Sequence, residues 1–385
     1  MRTVIDCGAL VLYDRMEHDR RVLIEDGVIR AIAAHLDAPA DATVIDARAH
    51  IVLPGFIDIH VHGAMDADAM DATPEALQVM ARFFAAHGVT GFLPTTMTAP
   101  REAIEAALEN VRRAMTGPPA PDAARILGAH VEGPFINPKQ CGAQPTEFMR
   151  PADPREYCPW FERGVVKLIT VAPEVDGAMR LIEDARRFGV AVAIGHTDAT
   201  YAQAQAAFAA GANQATHTFN AMRGLHHREP GAVGAAMAND AVYAQLICDN
   251  VHVHPAAMNV LYKCKGADRL VVVTDAMEAT GLSDGAFFLG ARRVLVQGGI
   301  ARLEDGTLAG STLTMDAAFR NIIAATGCSW VEASRMCSAS PSRAVGLDDR
   351  KGRIAPGYDA DIVILDAELR VVRTIVGGLY TEKTG

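Results

Sequence analysis

Three side chains able to bind a metal or move a proton, Asp58, His60 and His62, stand at every second position of the apolar run LPGFIDIHVHG, residues 53–63. Side chains alternate faces along a strand, so these three point the same way. A solvent-facing row needs no further account, so the histidines acquire meaning only from what the rest of the chain offers them. The chain offers Glu132 in AHVEGPF, His196 in AIGHTDAT, His217 in THTFNAM, His252 in DNVH and Asp275 in VVVTDAM. Imidazoles and carboxylates that converge in a half-buried place repel or stay unsatisfied unless a cation holds them.

Whether they converge depends on the elements that carry them. Between residues 51 and 274 the chain alternates. Apolar strand candidates at 51–59, 89–96, 125–131, 165–172, 190–195, 212–216, 244–248 and 270–274 are separated for the most part by helical patterns such as PEALQVMARFFAAHG and TYAQAQAAFAAGA. Near-continuous apolar strands between helices predict a parallel sheet buried on both faces. Eight such units predict a closed (β/α)8 TIM barrel, an α/β fold, rather than an open sheet. Residues 291–304 read as a β-insertion after strand eight. Residues 2–50 and 357–378 are rich in short strands, with a hairpin signal at EDG, 25–27, and the two ends are expected to pair in one small sheet.

In a barrel of this kind chemistry collects at the carboxyl ends of the strands. His60 and His62 fall at the end of strand one, Glu132 of strand three, His196 of five, His217 of six and Asp275 of eight, with His252 just after seven. Each has a bland alternative: a strand-end histidine can be a bonded rim residue, and Asp275 can cap the next helix. Seven bland residues gathered at one rim is the poorer explanation. Two histidines and a glutamate match a catalytic zinc-type site with an open position, which assigns Glu132, His196 and His217. His60 and His62 could hold a second ion with Glu132 bridging. Asp275 is then the natural base: a carboxylate beside ion-activated water accepts its proton and delivers it to a leaving amine.

Composition narrows the partners. The 385 residues are half hydrophobic, ample for one large core, and no apolar stretch has membrane-spanning length. The first residues show no cleavage-site pattern, so a signal peptide is not expected. Seven scattered cysteines without a CxxC pair suggest a reducing cytoplasm. The net charge of −10 argues against a nucleic-acid partner. An anionic substrate would need a local cationic pocket, and MRGLHHRE at 222–229, with Arg223, His226, His227 and Arg228, provides one short basic stretch.

With these residues placed, the chain resembles the amidohydrolase superfamily and, more narrowly, its N-acetylglucosamine-6-phosphate deacetylase family. The resemblance runs essentially end to end through PGFIDIHVHG (54–63), MDATPE (70–75), GAHVEGPFINP (128–138), AIGHTDAT (193–200), THTFNAM (216–222), REPG (228–231), VTDAM (273–277) and LAGSTLTM (308–315). It implies a small β-sandwich domain from both termini, 1–53 plus 351–385, beside a metal-dependent barrel over 54–350. The implied reaction is hydrolysis of the acetamide of N-acetylglucosamine 6-phosphate to glucosamine 6-phosphate and acetate, in amino-sugar catabolism. The implied cofactor is a divalent metal, zinc first with iron(II), manganese(II) or cobalt(II) as alternatives, bound as one ion or two.

The resemblance also implies roles. Glu132, His196 and His217 ligate the main metal, Asp275 is general base and acid, and His252 from DNVH, where Asp249 also lies, contacts the sugar. Asn220, the backbone of Ala221, and Arg228 hold the phosphate. Leu308, Ala309 and Gly310 line the acetyl end, and Ala143 and Gln144 the sugar rim. Some members carry histidine where this chain has Gln144, and some replace the strand-one HxH and work with one metal. Members are commonly homodimers. Rival expectations are the galactosamine epimer, a cyclic amidase using a carbamylated lysine (no strand-end lysine is present), and a non-catalytic scaffold, which would lack ligands.

Overall fold

The eight apolar runs form parallel strands in chain order: Phe56–Val61, Val89–Thr96, Ala129–Glu132, Val166–Val171, Ala191–Ile194, Gln214–Ala215, Tyr243–Ile247 and Leu270–Val273. This computed structural model describes residues 1–380 apart from 118, 119 and 121, so the terminal segment expected over 351–385 is seen as far as residue 380. The strands are buried almost throughout, because helices cover them outside and side chains fill the barrel inside. The helices begin where capping chemistry predicts. Thr73 Oγ1 accepts from Ala76 N ahead of Pro74–Ala86, which turns Leu77, Met80, Ala81 and Phe84 to the core. Thr200 and Gln203 form a capping box ahead of Tyr201–Ala210, which ends at Gly211.

The barrel closes between its first and last strands through a few specific bonds. Asp275 N donates to His60 O at 2.9 Å and His62 N to Ala276 O at 2.8 Å. Below them Thr274 Oγ1 donates to Asp58 Oδ2 at 2.5 Å, and His60 N to Asp58 Oδ1 at 3.2 Å. Burial pushes the Asp58 carboxyl up to about 6, against the pull of those hydrogen bonds. Alternation therefore aimed Asp58 inward correctly, but its work is to latch the seam beneath the histidines.

Two strands differ from expectation. The run at 51–59 is divided at Gly55: Thr43–Pro54 belongs to the terminal sheet, and the first barrel strand starts at Phe56 and continues to Val61. A Cβ on Gly55 would meet the Thr90 side chain at 2.2 Å, so the change of sheet needs glycine. The run at 125–131 is also broken. Arg125–Ile126 pairs with Val89–Thr96, Gly128 takes φ 148, and the third barrel strand begins at Ala129.

The terminal sheet has the order Val371–Ile375, Ile362–Leu365, Thr43–Pro54, Arg2–Val11, Met16–Glu25, Val28–Ala33. Its hairpin turns at Asp26 and Gly27, both with positive φ, as a two-residue primed turn requires. One face encloses its own apolar cluster around Ile5, Leu10, Val22, Ile29 and Ile362, while Leu53, Val363 and Leu365 on the other join the barrel core. Bonds from Ile29 N to Tyr358 O and from Ala360 N to Gly27 O tie its far edge to the segment before Ile362–Leu365, so the single sheet rolls into a sandwich-like layer. The expected insertion is a three-stranded sheet, Gly285–Leu289, Arg292–Gln297 and Ile300–Arg302, and starts earlier than its sequence suggests. No helix among the described residues is long and apolar enough to cross a membrane.

Candidate active site

At the carboxyl ends of the strands the predicted side chains meet. Glu132 is the last residue of its strand, and His196, His217 and Asp275 each sit two residues past theirs. Those three adopt left-handed backbone, with φ of 47, 27 and 53. For residues bearing a Cβ this costs about 1–3 kcal/mol each, and such strain gathers at functional sites. The gain here is aim: leaving the strand this way turns each side chain over the barrel mouth.

Two groups of ligand atoms result, each lying within 4.8 Å of one another: Glu132 with His196 and His217, and His60 with His62 and Asp275. Glu132 stands between them. Its Oε1 is 3.2 Å from His196 Nε2, 3.2 Å from His217 Nε2 and 3.4 Å from His60 Nε2, while Oε2 is 3.3 Å from His62 Nε2. Asp275 Oδ1 is 3.5 Å from His60 Nε2 and 3.3 Å from His62 Nε2.

The histidines are held from behind. His196 Nδ1 lies 2.9 Å from Gln140 O and His62 Nδ1 3.2 Å from Thr95 O. A carbonyl only accepts, so in the neutral rings the proton is on Nδ1 and Nε2 presents a lone pair to the centre. His60 is set through a chain of amides. Gln214 Nε2 donates to Ala344 O, Gln245 Nε2 donates to Gln214 Oε1, and His60 Nδ1 donates to Gln245 Oε1. A fixed carbonyl thus orients two amides in turn and finally an imidazole.

The residues present fit a divalent metal. His196 Nε2 and His217 Nε2 are 3.1 Å apart and each is 3.2 Å from Glu132 Oε1, a cluster of donor atoms that one shared divalent cation would satisfy. His60 Nε2 is buried with no hydrogen-bond partner, although it lies between two carboxylates. Imidazole with carboxylate is a donor set suited to zinc and its neighbours.

Electrostatics follow from this crowding. Burial opposes ionisation of Glu132, but His60, His196 and His217 hold its carboxyl well below the usual range. Burial likewise opposes ionisation of Asp275, and His60 and His62 outweigh it. His62 is raised well above its ordinary value: burial disfavours its charge, and hydrogen bonds to Asp275 and Glu132 win. His60 is raised by the same two carboxylates, against burial. His217 is lowered, mainly by burial and with His196 beside it.

A cavity of about 540 Å³ opens above the groups. Of the residues expected at it, Ala143, Gln144, Asn220, Ala221, His252, Leu308 and Gly310 line it, and Ala309 is buried beneath. Asp249 stands behind His252, its Oδ2 2.6 Å from His252 Nδ1 and its Oδ1 accepting from His252 N. Arg228 is not brought to this cavity. It is exposed, with Nη1 2.7 Å from His227 Nε2, and neither His226 nor His227 lines the cavity. Two lining cations, Lys139 and Arg292, escaped the sequence reading. Gln214 and Gln245 escaped it too, although an amide inside an apolar strand was a visible signal.

The Amidohydrolase family profile matches residues 51–380. The chain is 39% identical to N-acetylglucosamine-6-phosphate deacetylase of Bacillus subtilis (strain 168), over 96% of this chain and 94% of the relative. It is 40% identical to N-acetylgalactosamine-6-phosphate deacetylase of Escherichia coli O157:H7, over 98% and 99%. Among solved structures it superposes, with a TM-score of 0.90 and 34% identity over 99% of each chain, on a mutant N-acetyl-D-glucosamine-6-phosphate deacetylase from Mycobacterium smegmatis in complex with N-acetyl-D-glucosamine-6-phosphate. A strand order, a ligand set and a full-length similarity that agree leave one conclusion: the chain belongs to the amidohydrolase family, on its branch of deacetylases for 6-phosphorylated N-acetylhexosamines.

Proposed function

We propose that the protein hydrolyses the acetamide of N-acetyl-D-glucosamine 6-phosphate to D-glucosamine 6-phosphate and acetate, a step of amino-sugar breakdown. The observation that carries this is one buried carboxylate, Asp275, facing a complete ligand group at the foot of a cavity lined by amides and cations. A divalent ion, zinc in our reading, would supply Lewis-acid polarisation of the carbonyl and a water acidified to a pKa of about 7. Glu132, His196 and His217 would hold it, and His60 and His62, with Glu132 shared, would hold a second. Asp275 takes the proton of the attacking water and returns it to the leaving amine nitrogen. His252, anchored through Nδ1 to Asp249, offers Nε2 to the substrate.

Asn220 and the Ala221 backbone stand at the cavity wall next to His217, where a phosphate would lie within a sugar's length of the ligand group. Arg228, which stands outside the cavity in the single chain, would grip that phosphate with paired charge-assisted hydrogen bonds once the exposed 223–230 loop closes over it. Leu308, Ala309 and Gly310 would wall the acetyl methyl, and Ala143 the sugar rim. A homodimer fits the exposure of Leu225, 57% open within this loop. Seven free thiols fit a cytoplasmic location.

The test is acetate release from N-acetyl sugars with and without 6-phosphate. Release from N-acetylglucosamine 6-phosphate, far above the plain sugar, is expected. Release from no phosphorylated N-acetyl sugar would refute the proposal. The galacto epimer is the second reading, favoured by the similarity to the Escherichia coli relative, and the same panel separates the two.

A further inference from the structure

Gln144 was expected to border the sugar, yet its amide is engaged elsewhere. The side chain is 2% exposed. Its Oε1 accepts from Thr98 N at 2.7 Å, which fixes the amide's orientation, because a backbone N–H only donates. Its Nε2 therefore faces inward and donates to Glu132 Oε2 at 2.7 Å. That is the one Glu132 oxygen facing His62, while the other faces His60, His196 and His217.

Glu132 serves both ligand groups with Oε1 set among His196, His217 and His60 and Oε2 toward His62, an arrangement that holds only if the carboxylate does not turn. Rotation about the last torsion of glutamate is soft. The Gln144 bond pins Oε2 on the His62 side and leaves Oε1 for His196, His217 and His60. The same loop also supplies Gln140 O to His196 Nδ1, and Gln144 N is tied back to Cys141 O. Its proline and glycine content reads as a loose cover, but residues 137–145 brace two ligands from one loop.

We propose that Gln144 is a positioning residue that divides Glu132 between the two ligand groups and so sets how tightly the His60, His62 and Asp275 group holds a second divalent ion. This rests on the metal-dependent reading above. A partner of a ligating carboxylate typically governs metal affinity by about 10–100-fold. The residue would act through Glu132, so substrate capture should be left nearly unchanged.

The experiment uses full-length protein loaded with zinc, dialysed against a graded chelator series, and assayed for bound zinc by mass spectrometry and for kinetics on N-acetylglucosamine 6-phosphate. Wild type is expected to hold two zinc ions per chain. In Gln144→Ala one of them should be lost at about 10–100-fold lower chelator concentration, with kcat reduced and KM within about twofold. Gln144→Met, similar in length, uncharged and unable to donate, should lose that ion at least as readily, whereas a mere packing role would spare it. Urea unfolding of the metal-free proteins identifies a folding defect. Unchanged zinc retention in both variants, with a raised KM, would overturn the inference in favour of a sugar contact and leave the metal site standing. A wild type that binds no zinc would overturn the metal reading itself.

Discussion

Replacement of Asp275 by Asn removes one negative charge and one proton acceptor with little change of shape. The backbone that aims the residue is held independently, by Asp275 N on His60 O and by Ser311 N on Asp275 O. Glu132, His196 and His217 form their group without it. The variant should therefore keep an ion in that group while turnover falls by the worth of a positioned acid–base residue, about 10²–10⁴-fold. At about 1.36 kcal/mol per factor of ten, this is about 2.7–5.4 kcal/mol of barrier. Because Asp275 also belongs to the His60 and His62 group, the second ion should be the one that weakens. Acetate release with parallel metal analysis reads both effects. Turnover within about tenfold of the parent, with metal retained, would show that another group moves the proton.

Changing Arg228 to Ala should raise KM for the phosphorylated sugar by about 10–100-fold with kcat little altered; an unchanged preference for phosphorylated over plain sugar removes Arg228 from the phosphate site. In the ion-free protein Glu132 and Asp275 raise His60 and His62 against burial, so both rings hold their protons to higher pH than a free histidine, and that ionic stabilisation is lost as pH rises through the raised values. Zinc uptake must expel those protons, so affinity should rise with pH, and titration calorimetry in buffers of different ionisation enthalpy should register net release; net uptake contradicts the assignment. Asp58→Ala leaves the Thr274 hydroxyl and two buried backbone N–H groups without their acceptors. It should cost about 1–3 kcal/mol in urea unfolding, and a variant of parental stability would mean the seam closes without this latch.

Much of the arrangement was legible in the sequence because strand–helix alternation and strand-end chemistry are local patterns. The rule that chemistry sits at strand ends found Glu132, His196, His217 and Asp275 before any coordinates. What stayed hidden depends on partners remote in the chain. Asp58 and Thr274 are 216 positions apart, and His60 and Gln245 are 185 apart. The boundary at Gly55 was missed because the apolar run continues through it with no shift in composition. The bracing role of the loop at 137–145 stayed hidden because proline and glycine report backbone permissiveness, not whether its carbonyls and amides are taken by Glu132 and His196. Arg228 remains outside the cavity in the single chain, so spacing after His217 overstated its proximity.

The central claim is that Glu132, His196 and His217 bind a divalent ion on which hydrolysis depends. Exhaustive chelation followed by stoichiometric zinc return, with acetate release followed throughout, tests it most directly. Activity should vanish with the metal and reappear as zinc fills the site, and a metal-free protein that still releases acetate at the parental rate would contradict the account.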